Sequence, residues 1–389
     1  MQTVFPYFQA IISVASGRIV GYEALAGHTK QRQLISDETV TVPGTAASAE
    51  QTRELDRQVR WLALQKFSVL EDKTSYITLN ISAANIDCLN NVKQLPTIEM
   101  LEKLNIDRSR VIIEIADGEA EIGKLKEAVK LYRQHGLRVA VDHYGSGYSQ
   151  LDRVIALNPD IIKIDMRLFK KAAKGGGAAS EAVQLLTRFG KRQGYQIICE
   201  GVESMHEFFF GLSCGAQYMQ GHLFSAAELD FKSPDFYQQH IASLRNKFLT
   251  RNLANEQKKL DRFSKIERLA YKLKEALQHD FNLNELSSWG FEDLGVLKFY
   301  LCNSNGEQIS PDFNFKNSHW YSDAKKMGHN WSWRSYCYQT IALHNCGINN
   351  QVVISDSYRD YESGVLCKTL SLYLDNERML MIDMRNEVN

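Results

Sequence analysis

Residues 110–143 read RVIIEIADGEAEIGKLKEAVKLYRQHGLRVAVDH and contain two apolar, β-branched runs that each end in an acid. The first run, Val111-Ile112-Ile113, ends in Glu114, and the second run, Val139-Ala140-Val141, ends in Asp142. Continuous apolar runs of this length are typical of strands that are buried on both faces. The residues between the runs leave room for one helix and two loops. The stretch therefore predicts a strand–helix–strand unit with parallel strands.

The same pattern recurs on both sides of this stretch. Counting the two acids above, the polar residues at or just past the ends of such runs are Glu23, Asn80, Glu114, Asp142, Lys163, Glu200 and Gln220. Repeated alternation of strand and helix predicts an α/β fold, a TIM-like (β/α)8 barrel. The carboxyl ends of all barrel strands surround one mouth, so we expect these side chains to converge there. Hard oxygen ligands of this kind suit Mg²⁺ or Mn²⁺ and not zinc.

Composition narrows the class of protein. The chain has 389 residues, of which 44% are hydrophobic, and this length predicts two domains with ample core. Lys plus Arg and Asp plus Glu both number 46, so no overall basic field favours nucleic acid. The 7 scattered cysteines form no CxxC pair, which favours reduced thiols and a cytoplasmic location. Neither an apolar stretch of about 20 residues nor an export signal is present, so we expect no membrane association.

The region from Pro234 to Gly290 contains no internal glycine or proline, which predicts one long helix or two helices end to end. We expect the barrel at residues 1–232, a helical linker at 233–280 and a sensor domain at 281–389. Apolar residues recur in the linker with a period near 3.5, at Leu253, Leu260, Phe263, Ile266, Ala270, Leu273 and Leu277. This period fits either a short coiled-coil seam or an amphipathic helix packed on its own domain.

After Gly290 the sequence changes to short alternating strands and turns, which predicts a small α+β domain. Trp333-Arg334-Ser335-Tyr336, Ile354-Ser355-Asp356-Ser357-Tyr358 and the run that ends in Asp383 together resemble Cache/PAS-like sensor domains. The resemblance implies a pocket for a small metabolite, lined by Arg334, Tyr336, Asp356 and Tyr358. A small-molecule or protein input at this domain is therefore expected. The alternative is that these side chains only fill the core of a small domain.

Six motifs in order cover about residues 4 to 228: Glu23-Ala24-Leu25, Leu79-Asn80-Ile81-Ser82, Glu114-Ile115-Ala116-Asp117, Asp142-His143-Tyr144-Gly145, Lys163-Ile164-Asp165 and Glu200-Gly201-Val202-Glu203. This order resembles the EAL-domain cyclic-di-GMP phosphodiesterases. The resemblance implies a TIM-like barrel whose first strand runs in an atypical direction. It also implies hydrolysis of cyclic-di-GMP to linear 5′-pGpG by metal-activated water, regulation by the C-terminal domain and a homodimer.

The resemblance also implies a role for each site residue. The implied metal ligands are Glu23, Asn80, Glu114, Asp142, His143 and Glu200, with Asp142 bridging two ions of Mg²⁺ or Mn²⁺. Glu200 orients or deprotonates the attacking water, and Lys163 holds a water or a transition-state oxygen. The substrate contacts are Gln9, Leu25 and Gln220, and Asp117 and Glu203 support loops. For any one of these acids, a capped strand end or a surface ion pair is the alternative.

Two departures from the family pattern bear on turnover. His143 stands where the family has a second Asp, and a neutral imidazole binds Mn²⁺ better than Mg²⁺. Metal preference is therefore expected to shift or the second site to be empty, unless His143 is turned away and hydrogen-bonded elsewhere. Gly27 stands where the family has an Arg that clamps a phosphate, which is expected to weaken substrate binding. Nearby cations that can substitute for that Arg are His28, Lys30 and Arg32.

Three functions remain open on the sequence alone. The first is a cyclic-di-GMP phosphodiesterase, and the second is a receptor that binds cyclic-di-GMP without efficient hydrolysis. The third is an interaction module that has lost the nucleotide. Retention of the whole first metal set speaks against the third, because converging buried charges cost stability when they serve no chemistry. The sequence contains no Gly-Gly-Asp-Glu-Phe segment, so no diguanylate cyclase is expected in it.

Overall fold

The computed structural model divides the chain into two compact units, Met1–Leu249 and Thr250–Asn389. The structure describes residues 4–28, 33–34, 49–81, 86, 95–115, 121–145, 150–175, 177–279, 282–286, 288–317, 319–348 and 351–386. No described helix combines the length and the apolar character that a membrane crossing requires.

The first unit is built on a nine-stranded sheet. Its strands are β1 (Val4–Ser13), β2 (Ile19–His28), β3 (Gln33–Leu34), β4 (Tyr76–Ile81), β5 (Val111–Ile115), β6 (Arg138–Tyr144), β7 (Ile161–Ile164), β8 (Gln196–Cys199) and β9 (Tyr218–Met219). Eight of these strands close into a barrel in the order β1-β9-β8-β7-β6-β5-β4-β2, because β1 also pairs with β2, and β3 extends β2. The predicted α/β barrel is confirmed.

Strand direction departs from an all-parallel barrel at one place. β1 runs antiparallel to β2 and to β9, whereas β2 and β4 to β9 pair in parallel. The turn from Ser13 to Ile19 is too short for a helical crossover, so the two strands it joins can only form an antiparallel hairpin. The atypical direction of the first strand is thereby confirmed.

Helices connect the parallel strands. They are α1 (Ala49–Ser68), α2 (Pro96–Lys103), α3 (Ile122–Gln134), α4 (Gln150–Leu157), α5 (Met166–Ala173), α6 (Gly177–Gln193) and α7 (Met205–Cys214). Two of them begin with strong caps close to the barrel mouth. The side chain of Asp165 accepts hydrogen bonds from the backbone amides of Arg167 and Leu168 at the start of α5. Ser204 and Glu207 form a capping box at the start of α7.

The barrel interior contains an apolar layer formed by buried side chains from alternating positions. Its buried members are Ile11, Tyr76, Ile112, Ala140, Ile161 and Ile198. Residues on the opposite faces of the strands pack outward with the helices in the larger core of the unit. Because side chains alternate along a strand, the residue two positions further lies on the interior face, one layer up.

A 40-residue helix, α8 (Gln238–Leu277), spans the boundary between the two units. Ile241 and Leu244 near its beginning are buried in the core of the first unit. Ile266, Leu269 and Leu273 near its end are buried in the core of the second unit. The later part of the helix therefore has the amphipathic pattern of a helix packed on its own domain.

The second unit is a small antiparallel α+β domain. Its elements are α9 (Leu283–Leu286), β10 (Val296–Asn303), β11 (Asp312–Lys316), β12 (His319–Asp323), α10 (Ser335–Asn345), β13 (Val353–Ile354), β14 (Tyr358–Arg359), β15 (Leu366–Tyr373) and β16 (Arg378–Arg385). The sheet order is β12-β11-β10-β16-β15-β13, with β14 paired to β15. Leu301, Leu370 and Ile382 pack with α8, and Tyr300, Met379 and Met381 pack with Tyr336 and Cys337 of α10. The predicted small α+β domain after a long helix is confirmed, and most of its elements are strands.

Candidate active site

The predicted polar residues form the layer directly above the apolar interior of the barrel. Glu114 lies two residues past Ile112, Asp142 two past Ala140, and Lys163 two past Ile161. Glu200 and Gln220 likewise lie two residues past Ile198 and Tyr218. Since side chains two apart share a face of a strand, closure of the barrel brings these groups together at its mouth.

Lys163 lies at the centre of this layer and is fully buried. Its Nζ atom lies 2.7 Å from Oε1 of Glu200, 2.8 Å from Oε2 of Glu114, 3.0 Å from Oε2 of Glu23 and 3.4 Å from Oδ1 of Asp142. Burial alone would lower the pKa of Lys163, but the charges of these four carboxylates raise it well above its usual range. The ammonium is therefore held charged at the centre of four acids.

Glu23 is the most strongly hydrogen-bonded of these acids. Nδ2 of Asn80 donates to its Oε1 at 2.8 Å, and Nε2 of Gln220 donates to its Oε2 at 2.6 Å. Burial raises the pKa of Glu23, but Lys163 and the two amide donors outweigh that effect and lower the pKa to about 2. Glu23 is therefore a carboxylate at neutral pH.

Glu114 is the least compensated acid of the layer. It is fully buried, and Lys163 donates to its Oε2 at 2.8 Å. Within the described residues its other oxygen, Oε1, accepts no hydrogen bond. Burial raises the pKa of Glu114 well above its usual value, and the charge of Lys163 only partly opposes this effect. A buried carboxylate oxygen without a donor is costly, and a bound cation would satisfy it.

Two groups of side chains in this layer have the spacing of a metal site. One group is Glu23, Glu114 and Asp142, and the other is Asp142, His143 and Glu200. In each group one ligand atom per residue lies within 4.8 Å of the others. Asp142 belongs to both groups and would therefore help to hold an ion at either one. The oxygen-rich first group fits a hard divalent cation such as Mg²⁺, Mn²⁺ or Ca²⁺.

His143 makes the second group chemically different from the first. Its Nε2 lies 3.5 Å from Oδ2 of Asp142, and its Nδ1 lies 3.6 Å from Oδ2 of Asp165 and 3.9 Å from Oε2 of Glu200. Its φ of 51° is in the left-handed region, which few non-glycine residues adopt. Hydrogen bonding to Asp165 raises the pKa of His143 to about 10; Asp142 and Glu200 add to this effect, and burial opposes it. The imidazole faces the acid layer.

Asp165 is a site residue that sequence reasoning missed. It caps α5 and also contacts His143. Burial raises the pKa of Asp165, but His143, the amide of Leu168 and the side chain of Arg167 together lower it to about 2. The motif Lys163-Ile164-Asp165 offered a signal, because an acid two residues past a barrel-mouth residue lies on the same face. Its contact with His143 lies beside the irregular register between β6 and β7, which no sequence pattern reveals.

Glu200 belongs to the second group of ligands and contacts Lys163, which also contacts the acids of the first group. It follows β8 directly. Burial raises the pKa of Glu200 to about 8, although the charge of Lys163 opposes this effect.

The predicted substrate contacts lie beside the acid layer. Gln9 is opposite Glu23 in the β1–β2 pairing, and its Oε1 accepts a hydrogen bond from Nε2 of Gln220 at 2.7 Å. Leu25, two residues past Glu23, is half-buried.

Other predicted residues lie apart from the acid layer or outside the described residues. Oε1 of Glu203 lies 2.7 Å from Nζ of Lys170 in α5, where the pair links α5 to the start of α7. Asp117, Lys30 and Arg32 are not among the described residues, and neither is the side chain of His28. Gly27 is buried, and a Cβ atom at this position would overlap the ring of Tyr7.

In the second unit, three of the four predicted pocket residues lie together. The guanidinium carbon of Arg334 lies 4.7 Å from the ring centroid of Tyr358. The hydroxyl groups of Tyr336 and Tyr358 both interact with Thr369. Asp356 is exposed. The acid in this region is Asp383, whose Oδ1 accepts a hydrogen bond from Thr369 at 2.7 Å. The sequence signal that pointed to Asp383 was its position at the end of the last apolar run.

Residues 1–227 match the family model of the EAL domain, and residues 235–388 match that of the EAL-domain associated signalling protein domain. The EAL-domain containing protein YkuI of Bacillus subtilis (strain 168) is 26% identical over 398 residues, covering 98% of this chain and 94% of YkuI.

Two further comparisons concern structure and activity. The crystal structure of YkuI in complex with substrate c-di-GMP and calcium superimposes with a TM-score of 0.81 at 24% identity, covering 99% of this chain and 97% of that chain. The cyclic di-GMP phosphodiesterase PdeL of Escherichia coli (strain K12) is 24% identical over 226 residues, which are 57% of this chain and 61% of PdeL.

Proposed function

The chain belongs to the EAL-domain family of cyclic-di-GMP phosphodiesterases, and from this premise we propose that it hydrolyses cyclic-di-GMP to linear 5′-pGpG. In that reaction the oxygen of a water molecule forms a bond to phosphorus. The P–O3′ bond breaks, and the leaving 3′ oxygen takes a proton. The reaction requires a strong nucleophile at neutral pH and compensation of the negative charge on the phosphoryl group.

One observation carries the proposal: the buried oxygen Oε1 of Glu114, which has no donor among the described residues, lies in a layer of converging acids. If these acids served only in structural ion pairs, the unsatisfied Oε1 of Glu114 would be unexplained, because an unsatisfied buried acceptor costs about 1–3 kcal/mol. A site that binds divalent cations accounts for it.

We assign the first ion to Glu23, Asn80, Glu114 and Asp142, and the second to Asp142, His143 and Glu200. Bound Mg²⁺ or Mn²⁺ would supply an activated water and neutralise charge on the phosphoryl oxygens. The chain's own residues then have separate tasks. Glu200 accepts a proton or orients the water, Lys163 holds an oxygen that gains negative charge, and Gln9, Leu25 and Gln220 position the nucleotide.

A second candidate function is a receptor that binds cyclic-di-GMP without efficient turnover. The observation that favours it is the position of His143, which takes a carboxylate's place in the second group of ligands and contacts Asp165 as well. If that group binds no ion, the first group and Lys163 can still hold the dinucleotide. The two functions share one binding site and differ in the rate of hydrolysis.

We also propose a division of the chain into three parts: a barrel at 1–232, a helical linker at 233–280 and a sensor domain at 281–389. The sensor is proposed to regulate the barrel in a homodimer in response to a small molecule or a protein partner. The cluster of Arg334, Tyr336, Tyr358 and Asp383 supports a ligand pocket, because it places several polar groups on one face of the small sheet. Light scattering on the full-length chain tests the dimer, and a monomer would contradict it.

The experiment that tests the site compares Glu114→Gln with the wild type in an assay for pGpG formation with Mn²⁺. The amide keeps the shape of the side chain and removes the charge that a metal ligand needs. We expect turnover to fall by more than about 100-fold, since loss of a mere partner of a metal ligand already costs 10- to 100-fold. The matched control is Glu127→Gln, because Glu127 is an exposed acid on α3.

Glu127→Gln should keep turnover within about twofold of the wild type, as expected for a surface charge. Full activity of Glu114→Gln would remove the metal assignment. A wild type that binds cyclic-di-GMP and forms no product would favour the receptor, and a wild type that neither binds nor hydrolyses it would contradict both functions.

A further inference from the structure

Tyr7, which no sequence motif assigned to the site, occupies the layer outside the acids at the barrel mouth. In the β1–β2 pairing Tyr7 lies opposite Leu25, and Gln9 lies opposite Glu23. Side chains at positions 7, 9 and 11 share one face of β1 because they alternate. Ile11 belongs to the apolar interior of the barrel. Gln9 therefore marks the acid layer, and Tyr7 is the next residue outward on the same face.

The contacts of Gln9 show that this face of β1 reaches the acid layer at the barrel mouth. Oε1 of Gln9 accepts from Nε2 of Gln220, and the same amide donates to Glu23. Two residues of a strand span about 7 Å, so the backbone of Tyr7 lies about that far beyond Gln9 along the strand. A nucleotide whose phosphate lies at the acid layer carries its base one ribose away from it. The separation of Tyr7 from the acids matches the place of a base.

The surroundings of the Tyr7 ring explain how it is held. The ring covers Gly27, because a Cβ atom at Gly27 would overlap its Cδ2 and Cε2 atoms. Gly27 is buried, whereas Tyr7 is only half-buried. The ring thus has a fixed support on one side and keeps part of its surface exposed. Leu25, also half-buried, lies opposite Tyr7 and extends the same apolar surface.

We infer that Tyr7 contacts the substrate by stacking on one guanine base of cyclic-di-GMP while the adjacent phosphate lies at the acid layer. This inference rests on the proposed function, since it takes cyclic-di-GMP as the ligand. An aromatic ring offers a flat, polarisable surface that a purine covers well, and such stacking tolerates any base. Tyr7 acts in binding and has no part in bond cleavage.

The test measures the equilibrium affinity of the full-length chain for cyclic-di-GMP in the presence of Ca²⁺ by isothermal titration calorimetry. Tyr7→Phe keeps the ring, and Tyr7→Leu keeps apolar packing on Gly27 without a ring. We expect Tyr7→Phe to bind within about threefold of the wild type. Tyr7→Leu should bind about 5- to 150-fold more weakly, the range that corresponds to one base stacked on an aromatic side chain.

Two controls separate stacking from a general structural effect. Tyr361→Leu removes a tyrosine that is 90% exposed in the second unit and should bind like the wild type. The shift in melting temperature caused by Ca²⁺ alone should be the same in Tyr7→Leu and the wild type, because Tyr7 lies outside the acid layer.

Each outcome decides one question. If the wild type binds and Tyr7→Leu binds equally well, the stacking role is wrong while the proposed function stands. If Tyr7→Phe loses as much affinity as Tyr7→Leu, the ring is not the recognised feature and the inference is overturned. If the wild type itself does not bind cyclic-di-GMP, the proposed function fails and this inference fails with it.

Discussion

Nζ of Lys163 lies 2.8 Å from Oε2 of Glu114, and neither side chain has any solvent exposure. Removing one partner of a buried ion pair leaves an uncompensated charge, which costs about 3–5 kcal/mol. We therefore expect Lys163→Met to lower the free energy of unfolding by that amount in the presence of EDTA. Saturating Mn²⁺ should restore part of the loss, because a cation then compensates the same carboxylates. Urea denaturation with and without Mn²⁺ measures both quantities.

The control for Lys163→Met is Lys130→Met, which removes an exposed lysine of α3. It should leave the free energy of unfolding nearly unchanged under both conditions. An equal loss for Lys163→Met with and without Mn²⁺ would mean that the lysine and the metal do not share the acid cluster.

Metal binding should depend on Asp142 more than on any other acid, because Asp142 belongs to both ligand groups. A ligand present at 100 times its dissociation constant stabilises the folded state by about 2.7 kcal/mol. Mn²⁺ should therefore raise the melting temperature of the wild type, and Asp142→Asn should abolish that rise. Differential scanning calorimetry with a Mn²⁺ titration measures the effect. A Mn²⁺-induced rise of normal size in Asp142→Asn would place the ion elsewhere.

His143 should set the preference among divalent ions. A neutral imidazole binds Mn²⁺ well and Mg²⁺ poorly, whereas a carboxylate binds both. Hydrogen bonding to Asp165 raises the pKa of His143 to about 10, so an ion that binds there would displace a proton from the ring. Replacement of His143 by Asp should therefore raise the affinity for Mg²⁺ by at least about tenfold relative to that for Mn²⁺. The left-handed backbone at this position, with φ of 51°, is one that Asp adopts more readily than most residues. Calorimetric titration with each ion gives the ratio, and an unchanged ratio would exclude His143 from the metal shell.

Gly27 and Tyr7 should behave as a coupled pair. A methyl group at Gly27 would overlap the Tyr7 ring, and overpacking of this kind costs about 1–3 kcal/mol. Gly27→Ala should lower the free energy of unfolding by that amount, and it should cost much less in a chain that already carries Tyr7→Ala. A double-mutant cycle by urea denaturation measures the coupling. Additive losses would show that the two positions are independent.

Much of the barrel could be predicted from the sequence because its strands are buried on both faces. Runs such as Val111-Ile112-Ile113 leave no polar face, so their strand character and the place of Glu114 at the barrel mouth follow from local pattern alone. The turn between Ser13 and Ile19 likewise limited β1 and β2 to an antiparallel pair. Local pattern and global fold agree in this region.

The contacts within the site could not be predicted in the same way. Whether Lys163 reaches four carboxylates depends on barrel closure and on the register between strands, which involve residues far apart in the chain. The contact between His143 and Asp165 arises at an irregular register of two neighbouring strands. The overlap of Tyr7 with Gly27 requires the register of β1 against β2. In the second unit, the sequence likewise could not show that Asp356 is exposed and that Asp383 is buried.

The most direct test of the central claim is product analysis of the full-length chain incubated with cyclic-di-GMP. Separate reactions contain Mn²⁺, Mg²⁺ or EDTA, and ion-exchange chromatography resolves the substrate from pGpG. The account predicts pGpG with Mn²⁺, a slower reaction with Mg²⁺ and no product with EDTA. Unchanged cyclic-di-GMP in all three reactions, at enzyme concentrations equal to the substrate, would contradict the claim that this site hydrolyses it.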